Sequence, residues 1–200
     1  MRPAGVARRV GKAAFWIWAV AVLLGGATLT AAHSYTLPRP AEAEIAPPLA
    51  ALQRQLGAKW LAVHVLYASC RCSLRIRDEL AARGPTPGVR EVVLLVGGDS
   101  DWKQPLVDAG YTLQPATADQ LRDVWHIEAA PMLLVLGPDS RIGYRGGYTE
   151  HQQGGTDPQD ARIIAAAMAA DPPPAVPLFG CAVSKRLQRM LDPLGLKYGD

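Results

Sequence analysis

Acidic side chains are missing from the first 32 residues, although the chain as a whole carries 18 of them. Arg2, Arg8, Arg9 and Lys12 make a basic head there, and no charge of either sign appears from Ala13 through Ala32. That charge-free run passes through Phe15, Trp16, Ile17, Trp18 and a Val/Leu stretch, and its length matches the roughly 20 residues of a membrane-spanning helix. Residues 1–32 therefore read as an N-terminal membrane anchor. The basic flank predicts a single pass through the inner (cytoplasmic) membrane, with the rest of the chain in the periplasm or outside the cell. Thr30-Ala31-Ala32 also suits a signal peptidase, so a cleaved signal peptide is the alternative. The run exceeds the h-region of about 7–15 residues typical of such peptides, which favours the anchor.

An excess of positive charge is lacking once this segment is set aside. The formal net charge of +3 comes from it, since the remainder holds 17 basic residues against 18 acidic ones. A nearly neutral exported domain has no electrostatic footprint for nucleic acid. Cysteine is also scarce, with three in the chain, and in an oxidising compartment unpaired thiols do not persist without a use. No internal repeat is present.

Prolines and glycines divide what is there. Residues 33–48, with Pro38, Pro40, Pro47 and Pro48, predict an extended linker. A domain over residues 49–170 follows. Leu49–Leu56 has the spacing of a short helix, Lys59–Tyr67 of a buried strand, Ser73–Arg83 of a helix and Arg90–Val96 of a second strand. Asp99–Gly110 predicts a helix interrupted by Pro105, Tyr111–Gln114 a short strand and Thr117–Trp125 a helix. Met132–Leu136 and Arg141–Tyr148 read as a hairpin around Gly137-Pro138-Asp139-Ser140, and Asp157 as the cap of a helix over Pro158–Ala169. Residues 171–200 add a Pro-rich break and a basic helix over Ala182–Leu191, with Cys181 at its start.

Cys70-Arg71-Cys72-Ser73 carries the chemistry. It lies where the first strand stops and a helix begins, so unpaired backbone N–H groups and the charges of Arg71, Arg75 and Arg77 favour a thiolate. A dithiol redox site needs one thiolate to attack a disulfide and a second thiol to release the mixed disulfide. Cys70 is the candidate attacking sulfur and Cys72 its nearest partner, although a bridge across one intervening residue is tight. Cys181 stands either as a resolving cysteine for Cys70 or as a structural residue.

The order of elements resembles the thioredoxin-like superfamily over roughly Leu56 to Ala170, with Leu66-Tyr67-Ala68-Ser69 before the cysteines and Val124–Asp139 leading through Pro131 into a strand. Both segments are similar to membrane-anchored thiol–disulfide oxidoreductases of the cytochrome-maturation type, with C-x-C-S here in place of C-x-x-C. The resemblance implies an α/β fold with a central mixed sheet flanked by helices, plus an N-terminal transmembrane helix and a C-terminal helical extension. It also implies a cis bond before Pro131 and a substrate groove formed by Ala130 and Pro131. The expected activity is disulfide exchange with exported protein thiols or disulfides, supported by a further redox partner and no cofactor.

Two rivals share the fold. Copper-delivery proteins of the Sco type resemble Leu133–Asp139, and a Cu(I) metallochaperone here would use Cys70, Cys72 and His126, since soft thiolates suit that ion. Their metal-binding histidine falls where this chain has Pro131. A binding module without exchange chemistry is the other. A peroxidase is disfavoured because no threonine stands between Trp60 and Cys70.

Overall fold

The computed structural model describes residues 4–33, 35–151, 158–193 and 195–198. The chain divides into two units, Met1–Tyr35 and Thr36–Asp200. The first is one helix, α1 (Ala4–His33), on which Phe15, Trp16, Ile17, Trp18, Leu23 and Leu24 are exposed. Among the described residues no helix is long and apolar enough to cross a membrane.

The second unit is built on a five-stranded sheet. Its strands are β1 (Leu61–Tyr67), β2 (Arg90–Val96), β3 (Thr112–Ala116), β5 (Met132–Leu136) and β6 (Ile142–Gly146), in the order β3-β2-β1-β5-β6. β1, β2 and β3 run parallel, while β5 is antiparallel to both β1 and β6. Near-continuous apolar runs such as Leu61–Leu66 arise because both faces of the sheet are covered. The period of two divides them: Leu61, Val63, Val65, Val92, Leu94, Met132 and Leu134 enter one core, and Ala62, Leu66, Val93, Leu95, Leu133 and Val135 the other.

Helices complete the two layers. The second core takes Ile76 and Leu80 of α3 (Arg71–Arg83), Leu106 of α4 (Ser100–Asp108) and Ile163 and Ile164 of α6 (Asp160–Met168). The first takes Ile45, Leu49 and Leu52 of α2 (Glu42–Gln55), Leu121 of α5 (Ala118–Asp123) and Leu187 of α7 (Lys185–Leu191). A parallel β1–α3–β2 unit followed by an antiparallel β5–β6 pair on the other side of β1 is a thioredoxin-like fold.

Three boundaries differ from the sequence reading. α2 starts at Glu42 and runs through Pro47 and Pro48, residues expected in an extended linker. Prolines remove N–H donors, but full burial of Ile45 and Leu49 on either side holds the helix together. α6 begins at Asp160, after Gln159, and the expected cap Asp157 lies outside the described residues.

The third difference bears on the site. Cys181 does not start a helix: Cys181–Ala182 is a short strand, β7, antiparallel to β4 (Ala129–Ala130). α7 starts later because Ser184 is its cap, its hydroxyl accepting from the Leu187 N–H at 3.1 Å. Leu178, Ala182, Val183 and Leu187 sit in the main core, so the C-terminal extension is an integral layer of the domain.

Candidate functional site

The site forms where β1 ends. The Cys70 N–H donates to the Tyr67 carbonyl, and Cys70 becomes the N-cap of α3 in an extended conformation. α3 starts at Arg71, two residues ahead of the expected start at Ser73, so Cys72 lies in its first turn. Ser73 is buried, and its hydroxyl accepts from the Tyr67 N–H at 3.0 Å, tying the helix start back to the strand. No Cys70–Cys72 bridge is present; all three cysteines are free thiols.

Cys181 comes from the other end of the chain to the same place. β7 pairs Ala129 with Ala182 and Ala130 with Cys181, and the Val183 N–H donates to the Glu128 carbonyl at 2.7 Å. The Ala130–Pro131 peptide is cis. The Ala130 carbonyl oxygen is 3.9 Å from Cys70 Sγ, so the β4 edge, the proline and the thiol form one locus. Gly180 is required for this approach, because a Cβ there would collide with the Ala130 oxygen and come within 2.6 Å of Pro131 Cδ.

Side chains hold the strand in register. Ser184 and Arg186 both bond the Glu128 carboxylate, which the Arg186 guanidinium keeps below its ordinary range. The Ala182 N–H donates to the Tyr198 hydroxyl at 3.0 Å, and Gln188 Nε2 donates to the Ala182 carbonyl at 3.1 Å. Asp192 accepts from the N–H groups of Leu196, Lys197 and Tyr198, fixing the turn that carries Tyr198. None of these anchors is foreseen in the sequence reading, although Ser184 before a helical run is a legible cap.

The electrostatics single out one sulfur. The neighbouring Cys181 thiol and then the Cys72 thiol, together with the backbone N–H groups of Ser73 and Cys72, favour the charged form of Cys70 and outweigh the burial that would raise it. Cys70 is thus held far below the ordinary thiol range. Cys72 and Cys181 are pushed up, because each donates to Cys70, is partly buried and faces the Cys70 charge, while Lys197 acts in the opposite sense. The thiolate is therefore stabilised first by the other two thiols. Of the arginines named from the sequence, Arg77 pairs with Asp78 and lies over the Trp102 ring at 5.3 Å.

Exposure is graded in the same way. Cys70 is 1% exposed, whereas Cys72 and Cys181 are both half-buried. His126 is exposed at the end of the α5 segment, in a left-handed conformation with φ of 54°, and its N–H donates to the Arg122 carbonyl. Among the described residues no group of three or more His, Cys, Asp or Glu is arranged to hold a metal ion.

A second polar cluster, absent from the sequence reading, lies on the α3/α6 face. His64 is fully buried, with Nδ1 at 2.9 Å from the Tyr148 hydroxyl and Nε2 at 2.8 Å from Glu91. Arg83 donates to Glu91 at 2.7 Å and to Asp160 at 2.8 Å, and the Thr86 N–H donates to Glu91 at 2.6 Å.

No protein-family model and no curated protein matches the chain. Solved structures do resemble it. A hypothetical protein from Sinorhizobium meliloti aligns with a TM-score of 0.48 and 14% identity over 66% of this chain and 82% of that one. An uncharacterized conserved protein from Geobacillus kaustophilus gives 0.44 and 15% over 63% and 77%. The thioredoxin domain of a thiol–disulfide oxidoreductase from Bacteroides vulgatus gives 0.35 and 16% over 44% and 70%. The fold assignment stands on strand order and connectivity, independently of these likenesses.

Proposed function

We propose that this chain is a membrane-anchored thiol–disulfide oxidoreductase acting on exported thiols and disulfides. The observation that carries the reading is one locus at the end of β1: Cys70 Sγ lies 3.9 Å from the Ala130 carbonyl beside the cis Pro131 bond, Cys72 follows in the first turn of α3, and β7 brings Cys181 opposite Ala130. A thiolate with a second thiol bonded to it is what exchange chemistry needs. Cys70 attacks one sulfur of a disulfide, the other sulfur departs as a thiolate, and a mixed disulfide remains on Cys70. A neighbouring thiol then gives up its proton and attacks the Cys70 sulfur. The products are a protein disulfide and a second released thiol.

Cys181 is the better resolving residue of the two neighbours. The pairing of β7 with β4 places it opposite Ala130, whose carbonyl oxygen is 3.9 Å from Cys70 Sγ. A Cys70–Cys72 bridge would instead have to close across one residue in the first turn of α3. Anchoring by residues 1–32 to the inner membrane, with the domain on the periplasmic side, is supported by the charge-free run from Ala13 to Ala32 behind a basic head.

Measuring disulfide exchange of the purified chain in a glutathione buffer tests the reading. Cys70→Ser is expected to abolish exchange, and a Cys72→Ser chain, once oxidised, should yield a Cys70–Cys181 link in peptide maps. Full exchange by Cys70→Ser would overturn the assignment. Retention of the chain in membranes after alkaline carbonate washing checks the anchor separately.

A further inference from the structure

Strand β7 pairs with β4 beside Cys70, so that main-chain pairing sets Cys181 opposite Ala130, whose carbonyl oxygen is 3.9 Å from Cys70 Sγ. β4 is only two residues long, and its pairing edge is taken by Cys181 and Ala182 of the same chain. The occupant is firmly seated. Leu178, Ala182 and Val183 are in the core, and Gly180, Tyr198, Gln188 and the Glu128–Ser184–Arg186 contacts all fix it.

We infer that β7 is a built-in occupant of the substrate edge, so that this chain exchanges with small soluble disulfides in preference to extended polypeptide segments. The inference rests on the exchange chemistry assigned to Cys70 and refines it by naming the substrate class. An extended peptide recognised by strand addition draws its affinity from main-chain hydrogen bonds. Here those bonds are already made within the chain. Cys70 is only 1% exposed, and so recessed a sulfur is reached more readily by a small molecule than by a folded or bulky one.

The electron balance closes without another reactant. A small disulfide takes two electrons from Cys70 and Cys181 and leaves as two thiol equivalents. Cys70 and Cys181 become a disulfide inside the β4–β7 pair, and Cys72 remains as a thiol. A small thiol in excess runs the same steps backwards.

Rates of exchange of the full-length chain with glutathione disulfide and with insulin test this. The small disulfide should react faster by about tenfold or more, since the polypeptide gains no main-chain pairing at the site. In Gly180→Ala, whose added methyl group cannot coexist with β7 in place, the insulin rate should rise and the preference should narrow. Tyr198→Phe, which removes one β7 hydrogen bond and leaves the core intact, should shift the preference the same way to a lesser extent. Equal rates for the two substrates in the native chain, or a preference unmoved in Tyr198→Phe, would overturn the inference while leaving the exchange activity standing. Absence of exchange with either substrate in every form would overturn the activity itself, and the substrate class with it.

Discussion

His64 and Cys70 belong to the same strand and the turn that follows it, and both are buried, yet their surroundings treat ionisation differently. Around His64 each charge has an opposite or dipolar partner: Glu91 receives His64, Arg83 and the Thr86 N–H, while Arg83 also reaches Asp160. Around Cys70 the partners are other thiols, which can lend a proton and can also attack. The first cluster is spent on holding α3, α6 and the sheet together. In the proposed exchange chemistry the second also supplies the proton and the two electrons that the reaction moves. Burial of polar groups therefore marks a functional site only when the partners are themselves able to react.

The sharpest way to break this contrast is to remove Glu91. Burial would raise its carboxyl, but the hydrogen bonds from His64 and Arg83 outweigh that and hold it far below the ordinary carboxylate range. Glu91→Gln should cost about 3–5 kcal/mol in urea denaturation, because it leaves the buried His64 and the half-buried Arg83 incompletely paired. Disulfide exchange by the folded fraction should stay near the native rate. The pH dependence has a definite sign: Glu91 stays ionised when folded, so its contribution is complete above the unfolded value of about 4.3 and is lost as pH falls below it. Glu91→Gln should show less of that acid loss, and an identical acid limb in the two proteins would contradict the assignment.

A smaller effect is expected at the thiols. Absorbance near 240 nm should report one thiolate at pH values where ordinary cysteines, with pKa about 8.5, are protonated. Cys70→Ser should remove it. Cys181→Ser should move its appearance to higher pH by more than Cys72→Ser does, since Cys181 is the stronger donor to Cys70. The reverse order would make Cys72 the partner that matters.

The smallest effect is expected for Tyr148→Phe. It removes the hydroxyl facing His64 Nδ1 and should lower stability by about 0.5–1.5 kcal/mol, the net worth of one hydrogen bond. The thiolate absorbance should not move. A shift there would show that the two clusters are linked.

Local signals carried much of this protein. The near-continuous apolar runs Leu61–Leu66 and Val92–Val96 mark strands buried on both faces, and the junction at Cys70 marks the start of α3, because strand propensity and capping depend on nearest neighbours. The helix through Pro47 and Pro48 was not legible, since proline argues against helix locally and the burial of Ile45 and Leu49 against the sheet overrides it. Cys181 shows the limit most plainly. Its neighbours suggest a helix start, and only pairing with Ala130, far away in sequence, makes it a strand.

By itself the sequence determined which residues alternate across the sheet, where the first strand gives way to a helix, and that a pair of thiols stands at that junction, because each of these depends on side chains close together along the chain. Only the tertiary structure decided that Cys181 comes to lie opposite Ala130 and that β7 fills the edge of β4. Those features arise from hydrogen bonds and packing between segments widely separated in the chain, which composition and spacing do not encode.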